Sequence, residues 1–211
     1  MPITLNKISK KYNGVEVFKD FTFEFKEGNI YIITGTVGIG KTTLLNIISS
    51  NTSIDSGEII GLKEKKLSYL FQDNRLLKNK SVMDNLRFVI EDKIRKSDQD
   101  NVIEKYLKLF GLYEYKDYGI NELSGGMQKK IAIARALAFP NFNVLLLDEP
   151  FNNIDIKQKN NIMKIVLDNI PKDTIVILVT HNIQDIQDFV DKVYVLDAKP
   201  IHSLSAQNIG D

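Results

Sequence analysis

At 211 residues the chain is long enough for one large domain with a sizeable core, and 43% hydrophobic against 26% charged residues excludes a disordered, collagen-like or rod-like coiled-coil protein. Twenty-eight Lys and Arg against 27 Asp and Glu leave a formal charge of +1, a balance that argues against nucleic acid as the main ligand. With no cysteine, disulfides, thiolate metal sites and thiolate nucleophiles are all excluded.

In chain order, residues 3–8 and 17–25 alternate apolar and polar side chains at period 2, which predicts two half-buried antiparallel strands joined by a turn at Tyr12, Asn13 and Gly14. The opening 1–10 has no apolar core of the kind a signal peptide needs. Residues 30–34 form a continuous apolar run, as expected of a strand covered on both faces, and feed directly into a glycine-rich loop. From Lys41 a helical stripe of Leu44, Leu45, Ile47 and Ile48 runs until the polar stretch 49–57.

A short strand is expected at 67–71, followed by a Lys, Asp and Leu rich helical lobe over 75–112 whose charged face is solvated. An Ala-rich helix at 127–139, a strand at 144–147, a helix at 156–169 and a strand at 174–180 complete a pattern that predicts a mostly parallel sheet. A helix near 183–190 and a hairpin through 197–200 close the chain. The apolar runs 144–147 and 175–179 fall far short of the ~20 residues that span a bilayer, so the chain is not expected to cross a membrane by itself.

Gly35-Thr36-Val37-Gly38-Ile39-Gly40-Lys41-Thr42 matches the phosphate-binding pattern G-x-x-x-x-G-K-[ST] and lies between a buried strand and a helix start, where its mechanism requires it. Glycines let the backbone N–H groups close around phosphate oxygens, Lys41 supplies a point charge for the β- and γ-phosphates, and the Thr42 hydroxyl suits Mg²⁺. Four apolar residues, 144–147, precede Asp148 and Glu149, which places both acids where a buried strand emerges at its C-terminal end. Asp148 is expected to orient Mg²⁺ through water, and Glu149 to polarise an attacking water as general base.

Leu123-Ser124-Gly125-Gly126-Met127-Gln128 resembles the signature of the nucleotide-binding subunit of ABC transporters, with Met127 in place of the commoner Gln. Ser124 can cap a helix whose first N–H groups, exposed by Gly125 and Gly126, face a phosphate. The resemblance covers essentially the whole chain. It implies an α/β P-loop NTPase fold: a single domain over 1–211, with 1–72 and 134–211 as antiparallel β subdomain plus core and 73–133 as helical subdomain. It implies ATP binding by Gly35, Thr36, Gly38, Ile39, Gly40, Lys41, Thr42 and Thr43, with Tyr12 resembling the aromatic that stacks on adenine. Gln72 resembles the glutamine that reaches Mg²⁺ and the attacking water, giving Thr42, Gln72 and Asp148 as metal residues. Asn152-Asn153-Ile154-Asp155 resembles the D-loop through Asp155, with Asn and Ile in place of the commoner small residues and Leu, and His181 resembles the histidine that contacts γ-phosphate.

The same resemblance implies that Ser124, Gly125, Gly126 and Asp155 complete the ATP site of a partner subunit. The protein is then a homodimer, or a heterodimer with a similar ATPase, that sandwiches two ATP molecules and drives a membrane permease from the cytoplasmic face. Apolar residues near Leu76, Leu77, Val82 and Leu86 would form a groove for a permease helix. Phe151 and Arg75-Leu76-Leu77 resemble the nitrate, sulfonate and taurine importer branch, which implies an indirect partner in a solute-binding protein. Export, lipoprotein release, cell division and non-transport action on nucleic acid or ribosomes are the alternatives. Kinases and GTPases share the P-loop but leave the Ser124 motif unexplained.

Overall fold

The computed structural model describes residues 1–183, 189–190 and 192–208, and the chain forms two compact units. One comprises Met1–Tyr69, Asn143–Glu149 and Pro171–Asp211; the other comprises Leu70–Phe142 and Pro150–Ile170. Among the described residues, no helix is long and apolar enough to cross a membrane.

The first unit opens with β1 (Ile3–Tyr12) and β2 (Val15–Phe25), antiparallel partners joined through Asn13 and Gly14. Both turn residues have positive φ, 49° and 81°, as a two-residue hairpin of the right twist requires. Strict period 2 does not hold through β1. Leu5 and Ile8 are both fully buried, although an odd spacing on a regular strand would turn one of them outward. The register slips between them, and Lys7, at φ 48°, takes up the extra residue. Hydroxyls satisfy the irregular backbone: Lys7 N–H donates to Thr22 Oγ1 at 3.0 Å, and Asp20 N–H to Ser9 Oγ at 3.1 Å.

After β3 (Ile30–Gly35) and α1 (Lys41–Ile48), β4 (Ser56–Ile60) returns to pair antiparallel with β1, giving the order β2-β1-β4. The sequence predicts no strand here. Exposed Ser56, Gly57 and Glu58 carry no alternation, and the strand exists through backbone pairing with β1.

The second sheet has the order β5-β6-β7-β3-β8-β9, formed by β5 (Leu67–Leu70), β6 (Val144–Asp148), β7 (Ile175–Val179), β3, β8 (Lys192–Leu196) and β9 (Ser205–Asn208). Strands β6, β7, β3 and β8 run parallel, and β9 turns back antiparallel to β8 as the expected terminal hairpin. Every residue of β6 and β7 is buried. Leu44, Leu45, Ile47 and Ile48 of α1 join Ile33, Leu146 and Ile177 of this sheet and Ile3, Leu5, Phe18 and Phe21 of the other in one apolar cluster. Each such side chain contributes roughly 1.5–3 kcal/mol when fully buried. The helix expected at 183–190 lies largely outside the described residues.

The second unit carries α2 (Val82–Ile90), α3 (Lys96–Leu109), α4 (Gly125–Ala138) and α5 (Ile156–Asp168). Leu86, Ile90, Ile103, Leu107 and Ile131 are buried where α2 and α3 pack on α4, whose alanines permit close approach. Helix does not begin at 75 as the spacing suggests. Asn85, fully buried, accepts from Leu77 N–H at 2.8 Å and donates to Leu77 O at 3.1 Å and Ser81 O at 2.9 Å, which holds 77–81 as a loop. Ser81 then caps α2 by accepting from Asp84 N–H at 3.1 Å.

Replacing Asn85 with leucine keeps the branched shape but removes three hydrogen bonds and leaves the Leu77 N–H without its acceptor, while Leu77 O and Ser81 O keep the N–H groups of Lys80 and Asn85. Asn85→Leu is expected to lower stability by about 2 kcal/mol, read as a reduced urea midpoint. An unchanged midpoint would show that the loop is held by other means.

Candidate functional site

Parallel strands present their C-terminal ends together, and in the first unit three such ends carry the residues singled out by the sequence. β3 ends in the glycine-rich loop, β6 in Asp148 and Glu149, and β7 leads through Thr180 to His181. β7 lies between β3 and β6 in the sheet. Backbone bonds lock the three ends in register, since Glu149 N–H donates to Val179 O at 3.0 Å and Thr180 N–H to Ile33 O at 3.1 Å.

The loop itself is built around close approach. At Gly35, φ 150°, a Cβ would stand 2.7 Å from Leu196 O, so no other residue fits without displacing β8. Thr36 and Gly38 are exposed, whereas the Ile39 side chain is buried in the apolar cluster and its N–H donates to Thr36 O at 3.2 Å. Gly40 offers α1 no side-chain cap, and no acid lies in the first turn. The positive end of the helix dipole, with Thr42 exposed and Thr43 half-buried on that turn, therefore has neither a side-chain cap nor an acid from its own helix.

Lys41 is only 8% exposed, and its Nζ donates to Gly35 O at 2.7 Å and Thr36 O at 3.1 Å. Burial pushes its pKa down, opposed by the negative charges of Glu149 and Asp148. Asp148 is 1% exposed at the end of an entirely buried strand. Glu149 adopts φ 47°, a left-handed conformation uncommon for Glu, and its Oε1 accepts from His181 Nδ1 at 2.8 Å. His181 is half-exposed, so the pair has one member in the protein and one facing solvent. A carboxylate held this way can accept a proton from a water, with the imidazole fixing its orientation.

Tyr12 ends β1 and is 43% exposed. The sequence points to Tyr12 alone at this end of β1. The structure adds Lys10, buried at 8% exposure, with Nζ 5.3 Å from the Tyr12 ring centre and 3.0 Å from Asp55 Oδ1. A lysine in an apolar position of the alternating strand is the signal that could have found it.

The other predicted residues belong to the second unit. Gln72 is exposed just beyond β5. Ser124 and Gly125 are exposed, and Ser124 Oγ accepts from Met127 N–H at 3.3 Å as the cap of α4, which begins at Gly125, ahead of the expected 127. Gln128 braces the approach to that turn, donating to Ile120 O at 3.1 Å and Leu123 O at 3.0 Å. A Cβ on Gly126 would stand 2.8 Å from Asn153 O, so the Ser124 turn and the 152–155 loop of the same chain lie against each other only because residue 126 is glycine. Asp155 caps α5, accepting from Lys157 N–H at 2.8 Å.

Oxygen donors dominate the candidate metal residues, the Thr42 hydroxyl and the Asp148 carboxylate, which suits a hard cation. No group of three or more His, Asp or Glu gathers as a metal cage among the described residues. That donor set fits Mg²⁺ arriving with phosphate and water ligands of its own.

The family model described as ABC transporter matches residues 18–152. The spermidine/putrescine import ATP-binding protein PotA of Fusobacterium nucleatum subsp. nucleatum is 34% identical over 93% of this chain and 55% of its own length. The sulfate/thiosulfate import ATP-binding protein CysA of Mesostigma viride is 32% identical over 97% of this chain and 62% of its own. The chain thus spans little more than half the length of these curated relatives, but 78% of the taurine import ATP-binding protein TauB of Roseobacter denitrificans, at 31% identity over 94% of this chain. A dimeric structure of MJ0796, a bacterial ABC transporter cassette, superposes with a TM-score of 0.85 at 26% identity over 99% of both chains. A dimeric post-hydrolysis state of that cassette bound to ADP and Pi gives 0.84 at 25% identity, again over 99% of both. With the P-loop, the paired acids and the Ser124 turn in the expected order on the expected fold, this chain belongs to the ABC transporter ATP-binding family.

Proposed function

We propose that the chain is the ATP-hydrolysing subunit of a membrane importer, and that its two compact units act as one ATPase cassette. The observation that carries this reading is the hydrogen bond between Glu149 and His181, formed one strand away from the loop on which Lys41 is folded. A phosphate group seated in that loop would offer Lys41 Nζ anionic oxygens in place of the Gly35 and Thr36 carbonyls. It would also take up the N–H groups of the first turn of α1, which Gly40 does not cap. Tyr12 supplies an exposed ring for the adenine base, with the Lys10 ammonium near it.

Mg²⁺, held through Thr42, Gln72 and water on Asp148, would neutralise charge on the β- and γ-phosphates. Glu149 accepts a proton from the attacking water as its oxygen bonds to the γ-phosphorus and the bond to the β-phosphate bridging oxygen breaks. His181 keeps the Glu149 carboxylate aimed and faces the γ-phosphate. Ser124, Gly125, Gly126 and Asp155 meet the ATP of a second copy, or of a similar subunit, in a twofold dimer. Loss of γ-phosphate then releases the two halves, which is how one covalent event becomes a movement.

A permease embedded in the membrane receives that movement, with this chain bound peripherally on the cytoplasmic side and a solute-binding protein delivering cargo outside. Phe151 and Arg75-Leu76-Leu77 support the nitrate, sulfonate and taurine branch. The relatives named for polyamine, sulfate and taurine import share 31–34% identity with this chain, so cargo choice resides in the permease and binding protein.

Glu149→Gln is expected to reduce ATP turnover by about 10²- to 10⁴-fold while leaving ATP binding intact, and to accumulate an ATP-bound dimer on gel filtration. A variant that stays monomeric and turns over normally contradicts the reading. Lys41→Ala removes a charge-assisted contact and should weaken ATP affinity by roughly tenfold to a hundredfold in equilibrium binding. Unchanged affinity would remove the phosphate cradle from the scheme. Ser124→Arg should leave ATP binding by the isolated chain close to the parent value and abolish hydrolysis, whereas full ATPase activity would defeat the composite site.

A further inference from the structure

The backbone around Gln72 is held by side chains from another element. The segment after β5 turns tightly: Asn74 N–H donates to Phe71 O at 3.2 Å and Arg75 N–H to Asp73 O at 2.7 Å. Asn74 and Arg75 both lie in the left-handed region, at φ 59° and 45°. Asn tolerates that conformation, but Arg adopts it rarely, and it persists only where surroundings impose it. The Arg75 guanidinium rests 3.6 Å from the Phe71 ring centre, closing the turn on itself.

Two cations of α4 do the imposing. Lys129, 1% exposed, donates from Nζ to Gln72 O at 3.2 Å. Arg135 donates from Nη2 to Asn74 O at 2.7 Å and from Nη1 to Arg75 O at 2.8 Å. Burial lowers the pKa of Arg135, the signature of a charge taken out of water. Burying such groups is unfavourable unless they are hydrogen-bonded. The neighbouring loop 77–81 is held by the neutral amide of Asn85, so anchoring a loop in this unit does not require charge. α4 is also the helix whose first turn carries the Ser124 cap, and along it Lys129 and Arg135 lie roughly 6 and 15 Å from Gly125 at 1.5 Å per residue.

We infer that Lys129 and Arg135 are positioning residues for Gln72, fixing its loop to the same rigid helix that presents Ser124, Gly125 and Gly126. Gln72 and the Ser124 turn then move as one piece, so the group that reaches metal and water is set in step with the turn that meets the partner's nucleotide. This rests on the reading of Gln72 proposed above. Both act through the backbone of residues 72–75.

The test is a double-mutant cycle on the full chain, with steady-state ATPase kinetics and ATP binding in EDTA as readouts. Lys129→Met keeps the long apolar stem and removes the donor. It is expected to leave ATP affinity and KM unchanged, to lower kcat by about tenfold to a hundredfold, and to raise the Mg²⁺ concentration needed for half-activation. Gln72→Ala should lower kcat comparably, and Lys129→Met should add nothing further in the Gln72→Ala background. If the two losses multiply, or if Lys129→Met is as active as the parent while Gln72→Ala is impaired, Lys129 does not act through Gln72 and the inference is overturned alone. If Gln72→Ala hydrolyses ATP at the parental rate, the role of Gln72 itself falls and takes the inference with it. Should Lys129→Met fail to fold, Arg135→Met, which removes the donors to Asn74 O and Arg75 O, enters the same cycle with the same deciding outcomes.

Discussion

A single ammonium group bound to the carbonyls of its own loop is the constraint on which the proposed site depends. Lys41 is almost buried, and it lies near two carboxylates at the end of a buried strand. Burial in a low-dielectric setting magnifies every charge there, so the arrangement is sensitive to whatever anion enters. The Gly35 and Thr36 carbonyls hold the lysine in place, and stronger acceptors on a phosphate can replace them. The sheet makes this possible. Because β3, β7 and β6 are adjacent, parallel and buried, a loop, a histidine and an acid pair distant in sequence emerge at one edge.

The second unit solves a different problem, that of keeping exposed loops in one conformation. Exposed backbone readily samples alternatives, and the chain suppresses them with side-chain donors, Asn85 and Lys129 buried and Gln128 and Arg135 partly so: Asn85 for 77–81, Gln128 for the approach to Ser124, and Lys129 with Arg135 for 72–75. Helix α4 contributes three of these four side chains and also carries the Ser124 cap. Its apolar alanines and isoleucines pack against α2 and α3, which makes the helix stiff enough to serve as a frame. Asn153, at φ 64°, brings its carbonyl against Gly126 and ties the 152–155 loop to that frame.

Local motifs were legible because they depend on residue type at short spacing. The P-loop pattern, Asp148-Glu149 after four apolar residues, and the Ser124 turn each declare their chemistry within about ten residues of chain, and the buried parallel strands follow from continuous apolar runs. The Asn13-Gly14 turn is of the same kind, since few other pairs accept two positive φ values.

What the sequence could not convey depended on partners far away along the chain. β4 is a strand because β1 pairs with it, not because of its own side chains. Residues 75–81 resemble the helix that follows until Asn85 claims their backbone. Ile8 reaches the core only through the bulge at Lys7. Lys129 and Arg135 read as ordinary polar positions of an Ala-rich helix, and only the fold brings the carbonyls of residues 72, 74 and 75, some sixty positions earlier, within hydrogen-bonding distance. Short-range residue chemistry therefore determined which groups could act on a phosphate. Long-range backbone hydrogen bonding, which leaves little trace in local composition, decided how those groups are held.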